Sequence, residues 1–188
     1  MTGGRPDDGP LAWNVAGLLA DEPGAERVHE VAGVVIDLDD LTLAEPIAGR
    51  IRLLRTNRGI LATGDLHAAL QLECSRCLRD ITYPVDVRIA EEYLPAIDLT
   101  TGRPLPTDDE PDIARLTDHH ELDLETPVRE AIQLAEPIAP LDRPDCPGLC
   151  IVCGLPLDEG VHDHPVDDID PRLEALRGFH ADDDGPDA

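Results

Sequence analysis

A chain of 188 residues is long enough for one well-buried domain with excursions or for two small ones, and one core is the simpler reading. Its 40 acidic residues stand against 15 basic ones, every one an arginine, for a net charge of −25; such an excess repels nucleic acid at long range and weighs against phosphate binding by the chain as a whole. With Trp13, Phe179 and two tyrosines as its only aromatics, the chain also lacks the platforms that single-strand binding by base stacking requires.

In chain order, residues 1–10, rich in Gly, Pro and Asp, read as a disordered N-terminus. Leu11 to Ala20 is an apolar run too short to span a membrane. It is preceded by Asp7 and Asp8 rather than by a basic region, so it reads as neither signal peptide nor anchor. A cytoplasmic location follows as the expectation, and the run itself is either a short helix or an extended entry into the core. Pro23-Gly24 marks a turn. Strands are expected over Val31–Leu38, Ile47–Leu54 and Ile60–Leu72, with Thr56-Asn57-Arg58-Gly59 as the hairpin turn between the last two. From Ile81 to Ala90 apolar and polar residues alternate, placing Val85, Val87 and Ile89 on one face of a further strand. Residues 95–122, rich in Pro and acids and without periodicity, read as a long acidic loop. Thr126-Pro127 then opens a helix whose stripe is Val128, Ala131, Ile132 and Ala135 and which ends at Pro137. A short helix is expected from Asp170-Pro171 to Arg177, closed by Gly178. The pattern is α+β: an antiparallel sheet or partly open barrel packed by one or two helices in a single domain over residues 11–179. A C-terminal zinc knuckle follows the main helix, and a disordered acidic tail occupies residues 180–188.

The cysteines carry the chemistry. Cys74-Ser-Arg-Cys77 and Cys150-Ile-Val-Cys153 each bring two thiolates from one tight turn to a single point, and two such pairs supply the four soft ligands of a tetrahedral zinc. Joined through one structural Zn2+, Cys74, Cys77, Cys150 and Cys153 would staple the sheet to the C-terminal segment across a long loop. Gly154, directly after Cys153, suits such a turn because it is free to take positive φ, and Gly148 suits a close approach. Cys146 is an alternate ligand, and so are His162 and His164, which flank Asp163 and point to one side of an extended stretch. A disulfide or redox pair and unliganded buried thiols are the other readings. The odd number of thiols and the absence of an export signal favour a reducing compartment, in which metal ligation prevails over stable disulfides.

Catalysis finds no support in the residues. Ser75 is the only serine, no nucleophile, base and orienting group stand in a readable pattern, and four thiolates leave a zinc no open position for water. Arg50, Arg52, Arg55 and Arg58 gather on one strand and its turn inside a charge-neutral stretch, as phosphate or partner contacts or as salt-bridged surface.

Leu72-Glu-Cys-Ser-Arg-Cys-Leu78 with Glu91-Glu92-Tyr93 forms one signature. Asp123-Leu-Glu-Thr-Pro-Val-Arg-Glu-Ala-Ile-Gln-Leu-Ala-Glu-Pro137, Cys146-Pro-Gly-Leu-Cys-Ile-Val-Cys-Gly154 and Asp170-Pro-Arg-Leu173 form another. Together they resemble the YceD family of large ribosomal RNA subunit accumulation proteins, a domain of unknown function whose members commonly carry a further cysteine where this chain has Asp142, and often cysteines near His162 and His164. The resemblance implies a metal-binding, non-enzymatic factor in ribosome biogenesis, acting on a large-subunit precursor or a basic ribosomal protein, with possible rRNA contact and no membrane. A thiol/disulfide redox-switched regulatory protein is the alternative, and a zinc hydrolase a third.

Overall fold

A computed structural model describes residues 9–106, 113–164 and 171–176. The readings of residues 1–8 and of the acidic tail lie outside this range. Four strands in sequence order make the sheet: β2 (Glu26–Val34), β3 (Thr42–Arg55), β4 (Ile60–Glu73) and β5 (Asp80–Leu94) pair antiparallel with their neighbours. The two-residue β6 (Ala114–Arg115) adds parallel to β5 at the far edge. The sheet is open, with β2 and β6 as its edges, so the barrel considered from the sequence does not close. A second, small sheet pairs β1 (Ala12–Asn14) with β7 (Glu121–Asp123).

One face of the large sheet is apolar because the register aligns the alternations of adjacent strands. Leu66 lies opposite Val87 and Ala68 opposite Val85, while Ile51 and Ile89 both face Gly64. All six apolar residues are buried, as period-two patterning requires of a half-covered sheet. The cover is α2 (Glu125–Leu134), which packs against β5 and buries Val128 and Ile132. The helix stops ahead of Pro137, since the residue before a proline is driven out of the helical region. Leu11, Val15, Leu18 and Leu19 complete the same core. Both alternatives for Leu11–Ala20 occur in succession, an extended β1 and then the short helix α1 (Ala16–Ala20).

Three expectations change. The first strand of the sheet begins at Glu26 rather than Val31 and ends at Val34; Ile36 and Leu38 stay buried without joining a strand. Over its described residues, 95–106 and 113–122, the expected acidic loop is not unstructured. Ile97 bridges Pro104, and β6 and β7 follow, because Leu116 and Leu122 bury their side chains in the core and hold the chain against it. Strands of two or three residues are too short to show a period. The last helix is a 3-10 helix over Pro171–Leu176; the expected boundary residues Asp170, Arg177 and Gly178 lie outside the described residues. No helix among the described residues is long and apolar enough to cross a membrane.

At one position the register depends on a missing side chain. β3 is irregular between Glu45 and Ala48, and the next residue, Gly49, has φ +148; a Cβ there would stand 2.3 Å from the Asp65 carbonyl oxygen of β4. Backbone cannot retreat from such a contact as a flexible side chain can. Gly49→Ala is expected to cost about 2–3 kcal/mol, read as a lower urea midpoint at unchanged slope.

Candidate metal centres

The β4–β5 hairpin ends in a turn that aims two thiols inward. Cys74 N–H donates to the Arg79 carbonyl at 2.8 Å and Leu78 N–H to the Cys74 carbonyl at 2.9 Å, and both Cys74 and Cys77 are buried. After α2 the chain returns over this turn, where Ser75 N–H donates to the Pro140 carbonyl at 2.8 Å. That contact delivers Asp142 and Cys146. Cys74 Sγ lies 3.6 Å from Asp142 Oδ1 and 3.8 Å from Cys146 Sγ, and one ligand atom each of Cys74, Cys77, Asp142 and Cys146 fall within 4.8 Å of one another. Tetrahedral thiolates about 2.3 Å from one zinc stand about 3.8 Å apart, so the spacing suits such an ion. Burial opposes ionisation of Cys74, yet the backbone N–H groups of Cys77, Arg76 and Asp142 prevail and bring its pKa down to about 7. Cys146 moves the other way, up to about 12, because its thiol hydrogen-bonds the Asp142 carboxylate and because it is buried. In the metal-free protein Cys74 is thus the ready thiolate, whereas Cys146 must give up its proton to bind.

The second pair builds its own centre. Gly154 N–H donates to the Cys150 carbonyl at 2.9 Å, Cys150 N–H to the Leu155 carbonyl at 2.8 Å, and Leu149 bridges Pro156. Gly154 takes φ +70, the left-handed conformation its position after the pair called for. Cys150, Cys153, His162 and His164 offer ligand atoms within 4.8 Å of one another. His162 Nε2 is 3.0 Å from the Pro156 carbonyl and Nδ1 is 3.5 Å from Cys153 Sγ, so a proton on Nε2 donates outward and leaves the Nδ1 lone pair facing the thiols. His164 Nε2 is buried with no hydrogen-bond partner, an orphaned atom that a metal at this point would satisfy. Hydrogen bonds from the Cys153 and Val152 N–H groups lower the Cys150 thiol to about 7 despite its burial.

The four cysteines expected to share one ion are therefore divided between two groups, with room for two ions. Cys146 joins the first pair, and His162 and His164 complete the second. A metal that clasped the sheet to the C-terminal segment would draw on Asp142 and Cys146 rather than on Cys150 and Cys153. The first turn also differs from the second at its exit, where Leu78 occupies the left-handed region at φ 58 with its side chain exposed. Leu78→Gly is expected to raise stability by up to about 1 kcal/mol in thermal unfolding of the metal-loaded chain, since glycine relieves the Cβ strain and little packing is lost.

A family model described as "Large ribosomal RNA subunit accumulation protein YceD" matches residues 62–180 and so takes in both groups. The chain belongs to the YceD family. Proteins described only as uncharacterized, from Mycobacterium tuberculosis and Mycobacterium bovis, are 34% identical over 176 residues, covering 89% of this chain and 80% of each relative. One from Mycobacterium leprae is 30% identical over 181 residues, covering 93% of this chain and 79% of the relative. No solved structure matches.

In this YceD chain an ion network joins the two groups. Arg79 Nη1 is 2.9 Å from Asp158 Oδ2 and 3.6 Å from Asp142 Oδ2, and its Nη2 is 2.7 Å from Glu159. Arg143 reaches the same Asp158 at 2.8 Å and Asp142 at 3.4 Å. Hydrogen bonds from the two guanidinium groups hold the Asp158 carboxyl well below the ordinary carboxylate range. Three thiolates and a carboxylate around a divalent ion leave a net negative charge, which these arginines offset. Asp142 escaped the reading of the residues alone; it is one acid among 40, and its signals are its place four residues before Cys146 and the family's cysteine at that position.

The arginine strip is engaged internally. Arg50 bonds Glu30 at 2.8 Å and Arg58 bonds Glu92 at 2.8 Å, while Arg52 pairs with Glu26. Arg55 donates to the carbonyls of Leu19 and Gly59, both at 3.1 Å. The Arg50 and Arg52 pairs are cross-strand and exposed, each worth a fraction of a kcal/mol, while Arg58 reaches Glu92 from the turn between β3 and β4.

Proposed function

We propose that this protein is a zinc-stabilised, non-enzymatic factor of ribosome biogenesis that acts in the cytoplasm and supports accumulation of large-subunit rRNA by binding a ribosomal protein or precursor particle. The observation that carries the reading is the family match over residues 62–180. Two further features support it. Each metal group offers four protein ligands, the full set of a closed structural site, which leaves no position for a catalytic water. The net charge of −25, together with the internal pairing of Arg50, Arg52 and Arg58, favours a basic protein over naked rRNA as the primary contact.

Cosedimentation of the metal-loaded chain with large-subunit precursors across a salt series tests this reading. Association at low salt that weakens as salt rises is expected; no association at low salt overturns it. A redox-switched regulator is the second reading, favoured by the lowered pKa of Cys74 beside the Cys146 sulfur at 3.8 Å. It requires a reversible disulfide in protein isolated without metal, which thiol-blocking mass spectrometry reads directly.

A further inference from the structure

The second metal group supports a crest of aliphatic side chains that the fold does not use. Between Ile151 and Val161 lie five large apolar residues, and all are exposed: Ile151 89%, Val152 54%, Leu155 57%, Leu157 42% and Val161 92%. The segment is held by its thiols and histidines and by the Arg79–Asp158 clamp rather than by a core of its own, so these side chains contribute nothing visible to folding. They are also contiguous. Leu149, Ile151, Val152 and Leu157 wall a single cavity of about 200 Å3 whose remaining lining is Cys150, His162 and His164, three of the second group's four ligands, so the group forms its floor and the aliphatic side chains its rim. Exposed aliphatic clusters of this kind mark interaction surfaces.

Size and charge select the occupant. The cavity is smaller than the roughly 300–1,000 Å3 of small-molecule sites and matches one inserted side chain. Residues 136–164 hold six acids and a single arginine; Arg79 and Arg143 engage four of the acids but leave the surround with an acidic excess, and Glu136 and Asp163 are exposed. A nucleic acid is repelled by that surround, and so is a second copy of a chain carrying −25. We propose that this crest docks a basic segment of a partner protein, which seats one large apolar side chain in the cavity between Ile151, Val152 and Leu157 while its cationic neighbours face the acids. The proposal rests on the assembly-factor reading only for where such a partner is met. A buried anchor with a charged rim is the usual anatomy of a small protein interface.

The test uses the metal-loaded full chain and a short Arg/Lys peptide with one central phenylalanine, beside a twin with alanine in its place. The phenylalanine peptide is expected to bind about tenfold tighter or better, as burial of one aromatic side chain implies. Methyl resonances of Ile151, Val152 and Leu157 should shift together. The double variant Ile151→Ser, Val152→Ser should bind both peptides equally while keeping its metal. Equal binding of the two peptides by the natural chain, or shifts confined to other methyls, overturns the proposal. Should the double variant lose metal, the methyl shifts of the natural chain decide. An RNA oligonucleotide that moves the same methyls, or dimerisation abolished in the double variant, also overturns it in favour of those occupants. Cosedimentation separates the two readings. Precursors that hold the natural chain and the double variant equally remove the crest proposal and leave the assembly role, whereas peptide binding as expected without any association with precursors does the reverse.

Discussion

Cys74→Ser is expected to halve the metal content of the zinc-loaded chain, from two ions to one, with the remaining ion on Cys150, Cys153, His162 and His164. A serine hydroxyl is close to the thiol in size but does not ionise near neutral pH, so the first group loses its ready thiolate and keeps only Cys77, Asp142 and Cys146. The outcome separates two groups from one shared site, because a single four-cysteine centre would lose its whole metal content. The effect on folding should be local. Cys74, Cys77 and Cys146 form a small cluster with Ile81, Leu141 and Leu149 that is distinct from the main core, and the main core contains no cysteine. Structural zinc contributes about 10–16 kcal/mol of apparent free energy in small finger peptides, as much as the stability of a whole domain, about 5–15 kcal/mol. Residues 140–148, which carry Asp142 and Cys146 and have little core of their own, are therefore expected to detach when the first ion is lost. Native mass spectrometry counts the ions. Hydrogen exchange should show protection lost at residues 74–78 and 140–148 and kept along β3, β4 and β5 and in the Cys150–Leu157 turn.

Arg79→Met will weaken metal binding at the first group by about 10- to 100-fold, the usual cost of removing a group that orients or neutralises a ligand. Arg79 stands 3.6 Å from Asp142 and shares Asp158 and Glu159 with the second group's loop. Methionine keeps much of the side chain's length and removes the charge, so the loss reads electrostatics rather than packing. The pH dependence identifies the cause. A depressed carboxyl pKa adds stability that is present above the unfolded value, near 4, and is lost as pH falls through the lower folded value. For Asp158 that folded value lies well below the ordinary range, so the clamp is intact from pH 5 to 8. The ratio of affinities between natural chain and variant, measured by competition with a chelator, should stay constant over that interval. A ratio that collapses at pH 5 would mean that the clamp titrates there and that the assignment of its strength to Asp158 is mistaken.

How far the sequence could be read depended on the length over which each signal repeats. β4 and β5 span 14 and 15 residues, and the stripe of α2 covers two turns and more, so all three elements and their buried faces were legible. Gly154 announced its own backbone conformation. β6 and β7, with two and three residues, could not announce themselves; they exist because Leu116 and Leu122 find the core. The choice between a sheet and a partly open barrel was left open, since local patterning says which strands pair in sequence and not whether the edges meet.

The sequence by itself determined that this chain carries two thiol turns, one at the end of a β-hairpin and one with a glycine exit, and a net charge of −25. Which thiols stand together was decided only by the tertiary structure. A Cys-x-x-Cys turn fixes the convergence of its own two sulfurs through local backbone geometry, but its remaining ligands arrive through contacts such as Ser75 with Pro140 and Leu149 with Pro156. The first of these crosses 65 residues of chain. It brings an ordinary-looking aspartate, Asp142, to a buried sulfur, and no spacing in the sequence encodes that approach.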